Sequence, residues 1–238
     1  GAAESGTIEV ADASANLTFE GEVVSADNAG LTVTGPGTLT LANANNSYTG
    51  ITTVDGGTLA VTTMANGGEN SSIGASSSDS ANLVLSNGGT LQYVGGTAES
   101  DRGVTLGEDG GRIGVAASAS TLTLSGTVVG DDGLTVEGDG TLVLSGTNTY
   151  TGGTTVEGGT LQAGSTQAFG DPTAAMTVNS GGTLDLDGYD NSVAVLRGDG
   201  NVELGSAMLT LTGGSATFSG TISGEGGVQR TGSWTQTF

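Results

Sequence analysis

The sequence predicts an all-β chain folded as a β-solenoid, and three observations carry the prediction. Apolar and polar residues alternate in short runs, glycine-rich corners separate the runs, and the runs recur at a beat of about twenty residues.

The runs are apolar–polar–apolar triplets. In chain order they are Leu17-Thr18-Phe19, Leu31-Thr32-Val33, Leu39-Thr40-Leu41, Val104-Thr105-Leu106, Leu122-Thr123-Leu124 and Leu134-Thr135-Val136. Met176-Thr177-Val178, Leu184-Asp185-Leu186, Val202-Glu203-Leu204 and Leu209-Thr210-Leu211 follow. Side chains two apart share a strand face, so each run has one apolar side and one side of Thr or carboxylate. The middle residue is usually Thr, whose β-branch favours extended backbone. No window carries the i, i+3, i+4 apolar stripe of an amphipathic helix.

The corners are Asp55-Gly56-Gly57, Asn87-Gly88-Gly89, Glu157-Gly158-Gly159 and Ser180-Gly181-Gly182. Glycine reaches positive φ without strain, while Asn, Asp and Ser bond back to the nearby backbone. The two prolines, Pro36 and Pro172, sit beside corner residues, where a missing N–H does no harm.

Two long repeats organise these pieces. Gly37–Leu41 aligns with Gly140–Leu144 at an offset of 103, and Tyr48–Leu59 aligns with Tyr150–Leu161 at 102. Ser86–Leu91 then aligns with Asn179–Leu184 at 93. The shrinking offset places extra residues of the first copy in the Ser- and Gly-rich stretch Asn66–Asp79, expected as a protruding loop. The expected organisation is a single unit over 1–238, with long repeats at approximately 17–121 and 122–216 and a partial one at 217–238. Within each repeat the Leu39–Leu59, Leu142–Leu161 and Leu161–Leu184 intervals mark one coil each. About eleven coils at ~4.8 Å would make a rod roughly 50 Å long. Antiparallel hairpins in a sandwich or barrel also alternate, but they do not explain Gly-Gly-Thr-Leu returning at this beat.

Composition then excludes several functions. The chain has 46 glycines, no Cys, no His, no Lys, four Arg and 25 Asp plus Glu among 238 residues, a net charge of −21. Four scattered arginines cannot form a nucleic-acid surface. Without His or Cys there is no zinc finger, iron–sulfur cluster, Cys–His dyad, Ser–His–Asp triad or disulfide. Leu, Ile, Val and Phe total 50 residues, about 21% of the chain, just above the ~20% at which highly charged chains stay disordered. A solenoid folds on so little because every strand is paired on both sides and each coil covers the next.

The segment Thr141–Leu161, TLVLSGTNTYTGGTTVEGGTL, resembles the passenger-associated transport repeat of bacterial autotransporters. Residues 37–61 form a looser copy, with Pro36, Ala42 and Ile51 departing from the pattern, and Gly227–Thr235 resembles the shortened start of another. The resemblance implies a right-handed parallel β-helix passenger, exported and threaded outward by a C-terminal β-barrel, displayed at the bacterial cell surface or secreted. Barrel strands and a signal peptide are not in the sequence, so the expectation is an excised or processed segment, meeting membrane only through a missing barrel.

Candidate sites follow from the polar positions. Arg197-Gly198-Asp199 is an Arg-Gly-Asp tripeptide between two expected strands, where a tight exposed turn would suit receptor contact; Gly138-Asp139-Gly140 uses the same corner chemistry without an Arg. Asp185 and Asp187 flank Leu186 and are expected on one outer face about 7 Å apart, a spacing that an acid–base pair acting on polysaccharide could use, with Arg197 about half a coil later able to bind an acidic sugar. In so acidic a chain a solvated face accounts for them more simply. Acidic corners at Glu108-Asp109, Asp131-Asp132, Glu137, Asp139 and Asp199 could meet Ca²⁺, but the EF-hand loop and the calcium β-roll nonapeptide are both absent. Outward threonines are spaced irregularly between the copies, which argues against a functional ladder. Tyr48 and Tyr150 are equivalent and are expected to pack across a corner with their hydroxyls at the rim.

No catalytic residue, cofactor or metal ligand is assigned, and the expected function is non-enzymatic. It is an adhesin or self-associating rod that meets like molecules on neighbouring cells or host surface receptors. The alternatives are a passive stalk for an N-terminal effector domain and, further behind, a polysaccharide-processing β-helix.

Overall fold

In the computed structural model, which describes residues 5–25 and 28–238, every strand pairing is parallel. The chain winds as a β-solenoid of about 11 turns. All ten alternating triplets lie in strands, with Leu186 and Leu204 one residue past a strand end. The one helical element among the described residues is a 3-10 turn, Ser80–Asn82.

Three columns of strands form the sides of the solenoid. The first stacks Gly6–Glu9, Leu31–Thr34, Thr52–Asp55, Leu83–Ser86, Val104–Leu106 and Val128–Gly130. The second runs through nine strands from Asn16–Phe19 to Leu196–Gly198, and continues through the Gly198–Phe218 bridge into Ala216–Thr217 and Gln236–Thr237. The third holds seven strands from Ala98–Ser100 to Thr221–Ser223. After Val128–Gly130 the first side loses regular strands for a stretch. Thr149 and Thr151 nevertheless donate to the Val128 and Gly130 carbonyls. Asn191–Val193, Met208–Leu211 and Gly227–Arg230 then occupy the same place in the coil.

Alternation explains the core. Leu39, Leu59, Leu91, Ile113, Val136, Val156 and Val178 are register partners in the second column, and all are buried. Each such side chain gains about 1.5–3 kcal/mol from burial. No coil could hide its own row, and stacking supplies the cover.

The two long repeats do not occupy equivalent sides. Thr38–Leu41 belongs to the second column, whereas its counterpart Thr141–Leu144 belongs to the third; Leu31–Thr34 is in the first, whereas Leu134–Gly138 is in the second. One repeat therefore advances the chain by a whole number of coils plus one side. Equivalent residues of the two copies face different directions around the rod.

The stretch Asn66–Asp79 does lengthen its coil, since Leu59 pairs with Leu91 32 positions later while Leu161 pairs with Leu184 after 23. It does not simply protrude. Ser71, Ser72, Ile73 and Ser76 are buried, and the segment folds back around Arg102. The Arg102 guanidinium donates to the carbonyls of Ala65 (3.1 Å), Glu69 (3.1 Å) and Gly74 (2.9 Å) and to the Ser76 hydroxyl (2.7 Å). Burial lowers its pKa, but a guanidinium remains charged in proteins. An insertion rich in Ser and Gly cannot build an apolar core of its own, and one five-donor side chain organises its carbonyls instead.

Candidate functional site

Positions opposite the apolar row of the second column stack in register: Thr38, Thr58, Thr90, Arg112, Thr135, Thr155, Thr177 and Arg197 follow one another coil by coil, all but the buried Thr90 reaching the surface. The threonines are unevenly spaced in sequence, as expected, but that does not keep them from stacking in one row. Length differences are absorbed between the strands of this column, and the row joins Thr-Leu strands of the first repeat to Thr-Val strands of the second.

Arg112 and Arg197 stand four coils apart, about 19 Å at the usual strand spacing. A groove of about 470 Å³ lies along this part of the face, lined by Thr135, Thr155, Thr177 and Arg197 and bordered by Asp109 and Asp132. A second depression of about 370 Å³ adjoins it, with Ala175 and Arg197 common to both.

Arg112 turns toward the neighbouring row, where one nitrogen donates to Glu137 (3.0 Å) and Glu157 (2.8 Å). The Glu157 hydrogen bond is the main cause of its raised pKa. This clip joins three coils and relieves two stacked carboxylates of their repulsion, a modest gain at a half-exposed site.

The structure places Arg197-Gly198-Asp199 differently from the tight exposed turn expected. Arg197 and Gly198 are inside the strand Leu196–Gly198, paired with Thr177 and Val178, and Gly198 bridges to Phe218 on the next coil. Asp199 and Gly200 both donate their N–H to the Val178 carbonyl. Arg197 and Asp199 are exposed, but they are presented on a flat sheet side and at its corner.

The carboxylate pair is also rearranged. Asp187 has φ of 42°, so the strand alternation that would align it with Asp185 ends at Leu186. Its N–H donates to Asp185 Oδ1 (2.9 Å), while Gln162 donates to Asp185 Oδ2 (2.8 Å). Both oxygens of Asp185 thereby serve the corner and the ladder. At the corners Asp12 and Asp171, hydrogen bonds from Ser14 and Thr173 hold the carboxyls below their usual range. Among the described residues no group of three or more Asp or Glu is placed to hold a metal ion.

The tyrosines are interior rather than at the rim. Tyr48 and Tyr150 are fully buried, and their hydroxyls bond to Thr52 (2.8 Å) and Thr154 (2.6 Å). Burial pushes the Tyr48 phenol up to about 12 and raises that of Tyr150 further.

Sequence reasoning missed Arg102, Asn46 and Asn148, the polar groups that tie coils together from within. The signal available was the shared Asn-x-Tyr-Thr-Gly of both copies, Asn46–Gly50 and Asn148–Gly152.

Comparison with known proteins bears on the family. The family described as passenger-associated-transport-repeat matches residues 31–61 and 134–163, and Gly227–Thr235 lies outside both matched segments. The chain is 55% identical over 218 residues to "Adhesin BmaC autotransporter" of Brucella suis biovar 1 (strain 1330). That match covers 91% of this chain and 6% of the relative, so the chain spans a small part of the length of the protein it resembles. No solved structure matches.

Proposed function

The chain is a segment of an autotransporter passenger bearing passenger-associated transport repeats, and from that premise we propose that it acts as a surface-displayed or secreted adhesive rod. Its long polar sides would meet like molecules on neighbouring cells or molecules of a host surface. The observation that carries this reading is the 55% identity along nearly the whole chain to a protein whose name is adhesin. The geometry supports a contact function over a catalytic one: Asp185 is bound by Gln162 and Asp187, and the grooves are shallow features of a sheet side. Arg197, Gly198 and Asp199 are a candidate receptor contact, reached across a side and a corner instead of at a loop tip.

Beads coated with the purified segment test the proposal. They should clump with one another or with host cells, and clumping should change with ionic strength, because rods of charge −21 repel at long range and screening removes that repulsion. Inert beads at every ionic strength would replace adhesion with the passive-stalk reading.

A further inference from the structure

Four arginines serve 25 acids in this chain, and three of the four are engaged. Arg102 is consumed by buried carbonyls, Arg112 holds Glu137 and Glu157, and Arg230 donates to the Trp234 carbonyl and lies over its ring at 5.7 Å. Arg197 is exposed and, among the described residues, has neither an ion pair nor a hydrogen bond from its side chain. It stands where the two adjoining depressions meet.

The groove beside it has a distinct chemistry. Arg197 offers five N–H donors, Thr135, Thr155 and Thr177 offer hydroxyls that both donate and accept, and Asp109 and Asp132 accept. No aromatic residue lines it, and its apolar content is Leu134 and Ala175, so it lacks the anchors of a protein–protein hot spot. Its carboxylates outnumber its one cation, which disfavours an anionic ligand within a Debye length of about 8 Å. A ligand that presents many neutral hydroxyls satisfies every group without bringing charge.

We propose that this groove is a subsite for a neutral saccharide, with Arg197 and Thr155 hydrogen-bonding sugar hydroxyls. The inference rests on the adhesive reading and names the partner chemistry of that contact. A site without a stacking ring binds weakly, and many copies on one surface would supply strength by avidity.

The test is ligand-observed NMR titration of the whole chain with maltoheptaose, cellohexaose and chitohexaose, and with oligogalacturonate as the anionic counterpart. Binding of at least one neutral oligosaccharide is expected, weakened about fivefold or more by Arg197→Gln and by Thr155→Val, and unchanged by Glu203→Gln on the third column. Circular dichroism of each variant should remain that of the parent. Tighter binding of oligogalacturonate would overturn the inference, as would neutral binding indifferent to both groove variants, or none at all. Bead clumping that persists in Arg197→Gln with no saccharide bound would sink the subsite and leave adhesion standing. Loss of host-cell attachment in both Arg197→Gln and Asp199→Asn, with no saccharide bound, would put a protein receptor of the tripeptide in its place.

Discussion

Asn46 and Asn148 are the same residue of two repeats, and each stitches three coils together from inside the rod. The Asn46 side chain accepts from the Val23 N–H (2.8 Å) and donates to the Ser72 carbonyl (2.8 Å); Asn148 accepts from the Val128 N–H (2.8 Å) and donates to the Ala168 carbonyl (2.6 Å). Both are fully buried. Where the strand ladder lapses at a corner, the amide replaces a backbone bond on each side.

Asn148→Ala should therefore destabilise the chain by about 3 kcal/mol, since two buried backbone groups lose their partners. Urea unfolding measures the loss, and hydrogen exchange at the Val128 amide should report it locally. A cost below about 1 kcal/mol would show that water or neighbouring backbone takes over.

Arg102→Met keeps the bulk and removes the donors. The Glu69 carbonyl would lose its donor, and the carbonyls of Ala65 and Gly74 would keep only the Ser100 and Ser71 hydroxyls, a loss of about 2 kcal/mol, and residues 62–82 should become the first site of protease cleavage. Cleavage elsewhere, with this stretch still resistant, would mean that the insertion is held by its buried serines alone.

Stability should fall as the pH rises above about 10. The buried phenols of Tyr48 and Tyr150 have raised pKa values in the fold, Tyr48 reaching about 12, against ~10 when unfolded. Over that interval the folded state holds protons that the unfolded state has released, so the stabilisation is complete below pH 10 and drains away through about 12. The Tyr48→Phe, Tyr150→Phe double variant should show a shallower alkaline decline in Tm. An identical decline would place the alkaline sensitivity elsewhere.

Gly198 separates a demand of the coil from a demand of a receptor. Its φ is +100°, and a Cβ there would lie 2.0 Å from the Val178 carbonyl oxygen. Gly198→Ala should cost about 2 kcal/mol or more. Gly181→Ala, at φ +91° with open space around it, should cost about 1 kcal/mol. Equal effects on thermal unfolding would mean that the contact between the coils is looser than described.

Much of the fold was legible because it depends on local pattern. The period-two triplets and Gly-Gly corners identify strands wherever one side is buried, and Leu39 to Leu59 measures one coil. The arrangement of the outer surface was not legible. Thr58 and Thr155 belong to one row only because the repeat advances by an extra side, and that rotation has no signature in spacing. Asp187 left the face of Asp185 because a carboxylate that accepts the N–H two residues on makes a turn. Arg102 was unreadable for a different reason: an arginine among Ser and Gly looks like surface until the insertion closes over it.

Spin labels at pairs of outward second-column sites measure the parallel stack most directly, taking Thr58 with Thr135, Thr155 and Thr177 in turn. Pulsed dipolar spectroscopy should give separations that climb with the number of coils crossed, three, four and five, by about 4.8 Å each. Separations that rise and then shrink as the chain proceeds would mean that it doubles back in antiparallel hairpins, and the rod would be lost with them.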